Sequence, residues 1–334
     1  MIGAGLLGLA GTARAQSQPQ SQAGSQTQGR EPRLTRWPPR ESFRLWPGLP
    51  PGAPARLPAA APSMNNSQSA DVSPRNLERW DRGIAHPHVG VFRPSRPDGR
   101  AVLAIPGGGY SFIGLENEGI DVADALNPRG ITVFVLCYRL PGEGWANRAD
   151  VPLQDAQRAM RLIRARARDF RIDPAKLGLC GFSSGGHLGA MLTVGHDDAV
   201  YAPIDLADRQ SARPAFSGLI YPVVSFRTAG GNSRSAGNLL GPNPTPAVSA
   251  RYDALVRIRA GMSPMFFLHA IDDPIIPVTQ TLTGLETARR FKIPVEAHLP
   301  ERGGHGFGAK GLPKDHPNTK WMDWFADWTA MHTK

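Results

Sequence analysis

Two cysteines in 334 residues leave room for one disulfide at most, so no disulfide framework holds this chain together. There is no P-loop signature and no G-x-G-x-x-G set between a strand and a helix, which excludes the usual phosphate and dinucleotide cradles and leaves no cofactor expected. The apolar stretch Met1 to Ala10 is too short to cross a bilayer, and no membrane span is expected. Acidic residues are outnumbered, 28 against 38 basic ones, giving a formal net charge of +10. Such an excess invites a nucleic-acid reading. The arginines, however, are scattered over the N-terminal region, the segment around Arg161 and the C-terminal third, and no basic stripe interleaved with aromatics occurs, so no nucleic-acid partner is expected. What remains is nonspecific attraction to acidic polymers, weakened by salt. Among the histidines, His86 and His88 alternate on an extended segment without a third ligand at sensible spacing, so no metal is assigned. His187, just inside a helix, is expected to pack or hydrogen-bond there.

What the chain does contain is chemistry for acyl transfer. Leu177-Gly178-Leu179-Cys180-Gly181-Phe182-Ser183-Ser184-Gly185-Gly186 is an apolar run ending in G-x-S-x-G, followed at once by another apolar segment. It reads as strand, sharp turn and helix, with Ser183 at the turn and small neighbours that let the two elements approach. A serine hydroxyl is a weak nucleophile at neutral pH and needs a base, a group to orient that base, and donors for the developing oxyanion. Upstream, the strand Ala101-Val102-Leu103-Ala104-Ile105 runs into Pro106-Gly107-Gly108-Gly109-Tyr110, whose bare N–H groups fit the oxyanion role. One donor is expected from Gly107 to Gly109 and the other from Ser184. After the strand Pro264 to Ala270 come Asp272 and Asp273, either of which suits the orienting acid. The base is His305, flanked by glycines in a loop after the last strand, Val295 to Leu299. Tyr110 and Trp145 are expected at the substrate pocket or its rim.

The order Ser183, Asp273, His305 is that of α/β-hydrolases and differs from the chymotrypsin and subtilisin orders. From about Leu45 to the C-terminus the chain resembles α/β-hydrolases of the acetyl xylan esterase type among the carbohydrate esterases. The resemblance is carried by Leu45-Trp46-Pro47-Gly48, Pro106 to Tyr110, Tyr138-Arg139-Leu140-Pro141, Pro152 to Ala159, Gly181 to Leu188 and the run His269 to Pro277. In that last run His269, Asp273, Ile276 and Pro277 match H-G-x-x-D-x-x-V-P, with Ala270 in place of glycine, which favours Asp273 as the acid and leaves Asp272 to bond the turn. Ser184 stands where alanine is common. The resemblance implies a mainly parallel sheet of about eight strands with helices on both faces. It also implies a serine esterase that removes small acyl groups, typically acetyl, from plant polysaccharides such as xylan or from their oligosaccharides. A feruloyl or general short-chain esterase, a prolyl-oligopeptidase-like peptidase and a non-catalytic carbohydrate-binding protein on the same fold are the alternatives.

Strands alternate with helical stretches from about Val89 onward, the pattern of one α/β domain. In the segment after Asp150, Leu153, Ala156, Met160, Ile163, Ala167 and Phe170 recur at helical spacing. Arg158, Arg161, Arg164 and Arg168 read as its solvated face. Trp321, Trp324, Phe325 and Trp328 give the last helix a stripe expected to pack on the sheet. Residues 1–15, ending in Ala13-Arg14-Ala15, read as a secretory signal without its basic start, as if the true start codon lay upstream, and imply a secreted or periplasmic protein. Residues 16–62, rich in Gln and Ser and then Pro, read as a linker in which Leu45-Trp46-Pro47 can dock, with the catalytic domain over 63–334. In the α/β-hydrolase strand order Cys137 and Cys180 flank the strand before the glycine loop. That separation, about 9 to 10 Å, is beyond disulfide reach, so two buried free thiols are expected.

Overall fold

The computed structural model describes residues 36–66, 77–227, 234–312 and 314–334. The signal-like segment 1–15 and the Gln/Ser-rich stretch up to Arg30 lie outside the described residues.

Eleven strands occur among the described residues: β1 (Ser42–Arg44), β2 (Ser63–Asn66), β3 (Leu77–Asp81), β4 (His88–Phe92), β5 (Ala101–Ile105), β6 (Ile113–Gly114), β7 (Thr132–Cys137), β8 (Leu177–Phe182), β9 (Ser217–Ile220), β10 (Met265–Leu268) and β11 (Val295–His298). Eight of them form one sheet in the order β1-β4-β7-β5-β8-β9-β10-β11. The pairs from β7 to β11 are all parallel, while β1 and β4 add an antiparallel edge. The central strands β5, β7 and β8 are buried at every position. That is why their sequences are continuous apolar runs rather than alternations: a parallel sheet covered on both faces has no solvated side.

Eight helices accompany the strands: α1 (Asp121–Leu126), α2 (Val151–Ala165), α3 (Ala167–Phe170), α4 (Ser183–Val194), α5 (Arg234–Leu240), α6 (Pro246–Arg251), α7 (Thr279–Arg290) and α8 (Trp321–Met331). Helix α2 packs on α4, α1 packs on α8, and α7 lies against β10 and β11. The stripe of α8 docks as expected: Trp321, Phe325 and Trp328 are buried, with Phe325 against Phe216 and Phe266 of the sheet region. Cys137 and Cys180 sit on β7 and β8 with β5 between them, and both are buried free thiols.

Two expectations need correction. The four arginines expected on one solvated face do not share it: Arg158 is buried, Arg161 and Arg164 are half-buried, and Arg168, on α3, is exposed as expected. Arg158 donates to Leu45 O at 3.0 Å and to Asp205 Oδ1 at 2.8 Å, with Asp208 3.0 Å away. Arg161 reaches the Tyr201 hydroxyl at 2.6 Å. Guanidinium groups on long stems find carboxylates and carbonyls far along the chain, which helical periodicity does not register. The linker, too, ends well before Pro62. Trp46 docks as expected, buried with its indole N–H donating to Asp155 Oδ1 at 2.8 Å, and beyond that expectation strand β1 pairs with β4. A Pro-rich segment cannot fold alone but can be held by partners, and here an edge strand and a buried carboxylate hold it. The packed domain therefore begins by residue 36 rather than at 63.

A second, three-stranded antiparallel sheet, β2-β3-β6, lies outside the main one. Its strands are short and largely polar, so sequence periodicity gave no sign of it. It brings Glu78 and Gly114 to the glycine loop after β5.

Candidate active site

Strand β8 ends at Phe182 and helix α4 begins at Ser183, whose φ of +52° lies in the left-handed region. A non-glycine residue there costs about 1 to 3 kcal/mol and persists only where packing enforces it. The flanking glycines show what enforces it. A Cβ on Gly181 would lie 2.4 Å from Gly185 O, and one on Gly185 would lie 2.2 Å from Ile105 O. The turn is so tight that only hydrogen fits at either position, and the serine between them projects at the start of a helix, where the backbone dipole is positive.

The structure brings Ser183, His305 and Asp273 together. His305 Nε2 lies 2.9 Å from Ser183 Oγ, and His305 Nδ1 lies 2.7 Å from Asp273 Oδ2. Asp273 Oδ1 accepts the N–H groups of Ile275 and Ile276 at 2.8 and 2.9 Å. Oδ2 also lies 3.1 Å from Nε2 of His269, whose Nε2 is 2.9 Å from Ile276 O. Burial pushes the Asp273 carboxyl up, but the bonds from His269 and His305 and the attraction of His305 outweigh it and hold the group well below the usual carboxylate range. Asp273 is therefore ionised with all its partners arranged to keep it so. Asp272 instead accepts the Gly304 N–H at 2.8 Å, bonding the loop that carries His305.

The glycine loop meets Ser183 from β5. Gly107 and Gly108 line a small cavity of about 20 Å³ with Glu78, Phe112, Gly114, Glu118, Ser183, His305 and Gly306. A space of that size holds about one water molecule. The four N–H groups expected as oxyanion donors are not equivalent. That of Gly107 donates to Glu118 Oε2 at 2.6 Å and is spent. Those of Gly108, Gly109 and Ser184 have no protein acceptor among the described residues. The hydroxyl of Ser184 has a task of its own, accepting the Tyr110 N–H at 3.3 Å and so tying the loop to α4.

Tyr110 and Trp145 do not reach the cavity. The Tyr110 hydroxyl lies 2.8 Å from His187 Nδ1 in the core, and His187 Nε2 lies 2.8 Å from Tyr252 O. Burial lowers the His187 pKa to about 4, so it is a neutral packing residue. Trp145 is buried under the guanidinium of Arg139, 4.8 Å from its ring. Both aromatics belong to the support of the loops.

Sequence reasoning missed Glu78, Glu118 and Tyr221. Burial raises Glu78 to about 8, with the charge of Glu118 adding to the effect, and Trp80 donates to Glu78 Oε1 at 2.6 Å. The only sequence sign was an acidic triplet region, Glu116-Asn117-Glu118, soon after the glycine loop. Beside the His305 loop runs a wider cleft of about 800 Å³, bordered by Asp272, Arg302, Gly304, Asp315 and His316.

The chain is similar to known proteins in sequence and in fold. The BD-FAE family model matches residues 91–286. A 221-residue stretch, 65% of this chain, is 32% identical to an acetylxylan esterase of Xylanibacter ruminicola and covers 43% of that protein. A 205-residue stretch, 61% of this chain, is 33% identical to endo-1,4-beta-xylanase B of Butyrivibrio fibrisolvens and covers 32% of it. The chain thus spans less than half the length of either curated relative. Among solved structures, an acetyl ester-xyloside bifunctional hydrolase from Caldicellulosiruptor lactoaceticus is 31% identical with a TM-score of 0.66, over 74% of this chain and 88% of that one. Propionate-bound esterase 2 of Thermogutta terrifontis superposes with a TM-score of 0.62 at 20% identity, over 89% of this chain and 97% of the other, a likeness of fold.

Proposed function

Because the chain belongs to the BD-FAE family and has the α/β-hydrolase fold, we propose that it is a serine carboxylesterase that releases small acyl groups, acetyl foremost, from acylated plant polysaccharides or oligosaccharides such as xylan. The observation that carries the proposal is the continuous run of hydrogen bonds from Asp273 through His305 to Ser183, ending at a cavity lined by Gly108, whose N–H has no protein acceptor among the described residues. In this reading His305, held by ionised Asp273, takes the Ser183 proton as Oγ attacks the ester carbonyl. The oxyanion is received by N–H groups of Gly108, Gly109 and Ser184, which are preorganised and need no reorientation as charge develops. His305 then protonates the leaving alcohol, and water, activated by the same imidazole, releases the acid from Ser183.

The substrate class rests on two supports. The small cavity at Ser183 favours the smallest acyl groups. The named activities of the Xylanibacter and Caldicellulosiruptor relatives point the same way. Export to a secreted or periplasmic location belongs to the same proposal, supported by the Ala13-Arg14-Ala15 signature. N-terminal sequencing of the exported protein tests it, with cleavage after Ala15 expected.

The test of function is a panel of acetylated xylan, acetylated monosaccharides, feruloyl and longer acyl esters, and an arylamide, run with the native chain and with Ser183→Ala. Acetyl esters should be turned over fastest, the arylamide not at all, and Ser183→Ala should be inactive while folded. Turnover by the alanine variant, or preference for the arylamide, overturns the assignment.

A further inference from the structure

Glu118 stands in a turn of π-helix, Glu116–Ile120, between β6 and α1 and is buried. Its two carboxyl oxygens face two different loops. Oε2 accepts the Gly107 N–H at 2.6 Å, and Oε1 accepts the Tyr221 hydroxyl at 2.8 Å. The Tyr221 oxygen in turn accepts the Gly308 N–H at 2.9 Å, three residues beyond His305. An amide N–H can only donate, so the Tyr221 oxygen accepts from Gly308, while the Tyr221 hydroxyl donates to the Glu118 carboxyl. The same turn grips the His305 loop a second time, since Asn117 O accepts the Ala309 N–H at 2.9 Å. Tyr221, just past β9, also lays its ring 4.8 Å from the His305 ring and 4.8 Å from Phe307.

Burying a carboxyl is unfavourable unless its oxygens are paired, and an apolar side chain would fill the space more cheaply. What Glu118 does that an apolar residue cannot is hold the glycine loop and the histidine loop at a fixed distance from each other. We propose that Glu118 is a positioning residue: its carboxyl clamps the Gly107 turn to the His305 loop so that the neighbouring N–H donors and the imidazole address the same ester carbonyl. The inference rests on the esterase reading above. It also explains why Gly107, although part of the glycine loop, is not an oxyanion donor. Its N–H sets the loop so that its neighbours can serve.

A clamp of this kind acts where charge develops, in the transition state, and contributes little to ground-state binding. The test uses the full chain and Glu118→Gln, which keeps the volume but puts an NH₂ group where one of the two donors needs an acceptor. With a small acetyl ester, kcat should fall about ten- to a hundredfold with KM within about twofold, the size expected when reacting groups are misplaced rather than removed. The inhibition constant of a small alkylboronic acid, which adds to a serine hydroxyl as a tetrahedral anion, should rise by the same factor. A purely structural role would lower the melting temperature without moving that constant. Tyr221→Phe keeps the ring and the Gly107 bond but cuts the arm to Gly308, and should lower kcat about three- to tenfold by the same reasoning. A folded Glu118→Gln variant with kcat and boronate affinity within twofold of native overturns the clamp, as does a loss confined to KM. If that variant does not fold, unchanged kcat and boronate affinity in Tyr221→Phe overturn it instead. Ser183→Ala in the same assay separates the two proposals: activity there removes the esterase mechanism, whereas an inactive Ser183→Ala beside an unchanged Glu118→Gln removes only the clamp.

Discussion

Replacing Asp273 by asparagine changes one atom and, by the geometry here, reverses the direction of a proton. Oδ1 of Asp273 faces two donors, the N–H groups of Ile275 and Ile276 at 2.8 and 2.9 Å, so the asparagine carbonyl must keep that place. Its NH₂ then turns to His305 Nδ1, which lies 2.7 Å from the present Oδ2. A donor at that point forces the neutral imidazole to carry its proton on Nε2, 2.9 Å from Ser183 Oγ, where a base needs a lone pair. His269 keeps its bond to Ile276 O but loses the one to Oδ2 at 3.1 Å, so the melts must show that the loop is retained. A wrong tautomer costs serine hydrolases about 10⁴ in kcat, or roughly 5.5 kcal/mol at 1.36 per decade. Asp272→Asn is the matched control, because a carbonyl oxygen can still accept the Gly304 N–H; it should stay within about threefold of native, as an exposed neutral bond at that distance from the reacting atoms predicts. The assay is kcat on 4-nitrophenyl acetate near neutral pH, with thermal melts to establish folding. If Asp273→Asn keeps more than a tenth of native kcat, or Asp272→Asn falls as far as Asp273→Asn, the assignment of the acid is wrong.

Two further outcomes concern stability. Asp155 is fully buried and accepts from Arg139 Nη2 at 2.8 Å, from the Arg139 N–H at 2.9 Å and from the Trp46 indole at 2.8 Å. Asp155→Ala leaves a buried guanidinium without its counter-ion and should cost about 3 to 5 kcal/mol in urea unfolding; a loss under about 1 kcal/mol would mean that water replaces the carboxylate. Glu78 is held protonated up to about 8, whereas in the unfolded chain it ionises near 4.5. The native state thus binds more protons between those values, and stability falls as pH rises through that window. Glu78→Gln removes this dependence, so the variant's advantage over the native chain should grow between pH 5 and pH 8 by on the order of 3 kcal/mol. Thermal melts showing the same gap at both pH values would refute it.

Ser183, Asp273 and the glycine loop were legible in the sequence because each follows a strand end, where an apolar run stops and a turn begins, and His305 because glycines flank it in the loop after β11. Those signals are local. Glu118 and Tyr221 carry no such mark, because their meaning lies in partners 11 and 103 residues away along the chain. The buried Arg158 of α2 was misread for the same reason: helical spacing gives the face of a side chain but not the carboxylates that come to meet it, as Asp205 and Asp208 meet Arg158. Tyr110 and Trp145 erred in the other direction, since aromatic rings near a site are placed by core packing that no single segment records.

By itself the sequence determined the parallel α/β sheet and the chain order of Ser183, Asp273 and His305, because continuous apolar strands and glycine-flanked turns are consequences of backbone geometry that act within a few residues. The tertiary structure alone decided which glycine N–H groups remain unpaired, which aspartate reaches the imidazole, and how the Pro-rich N-terminal segment is held. The first two depend on distances between strand ends brought together by the sheet order β7-β5-β8-β9-β10-β11, and the third on the pairing of β1 with β4 and the bond of Trp46 to Asp155. A hydrogen bond is made or lost over tenths of an ångström, and that precision exists only after the whole sheet has closed.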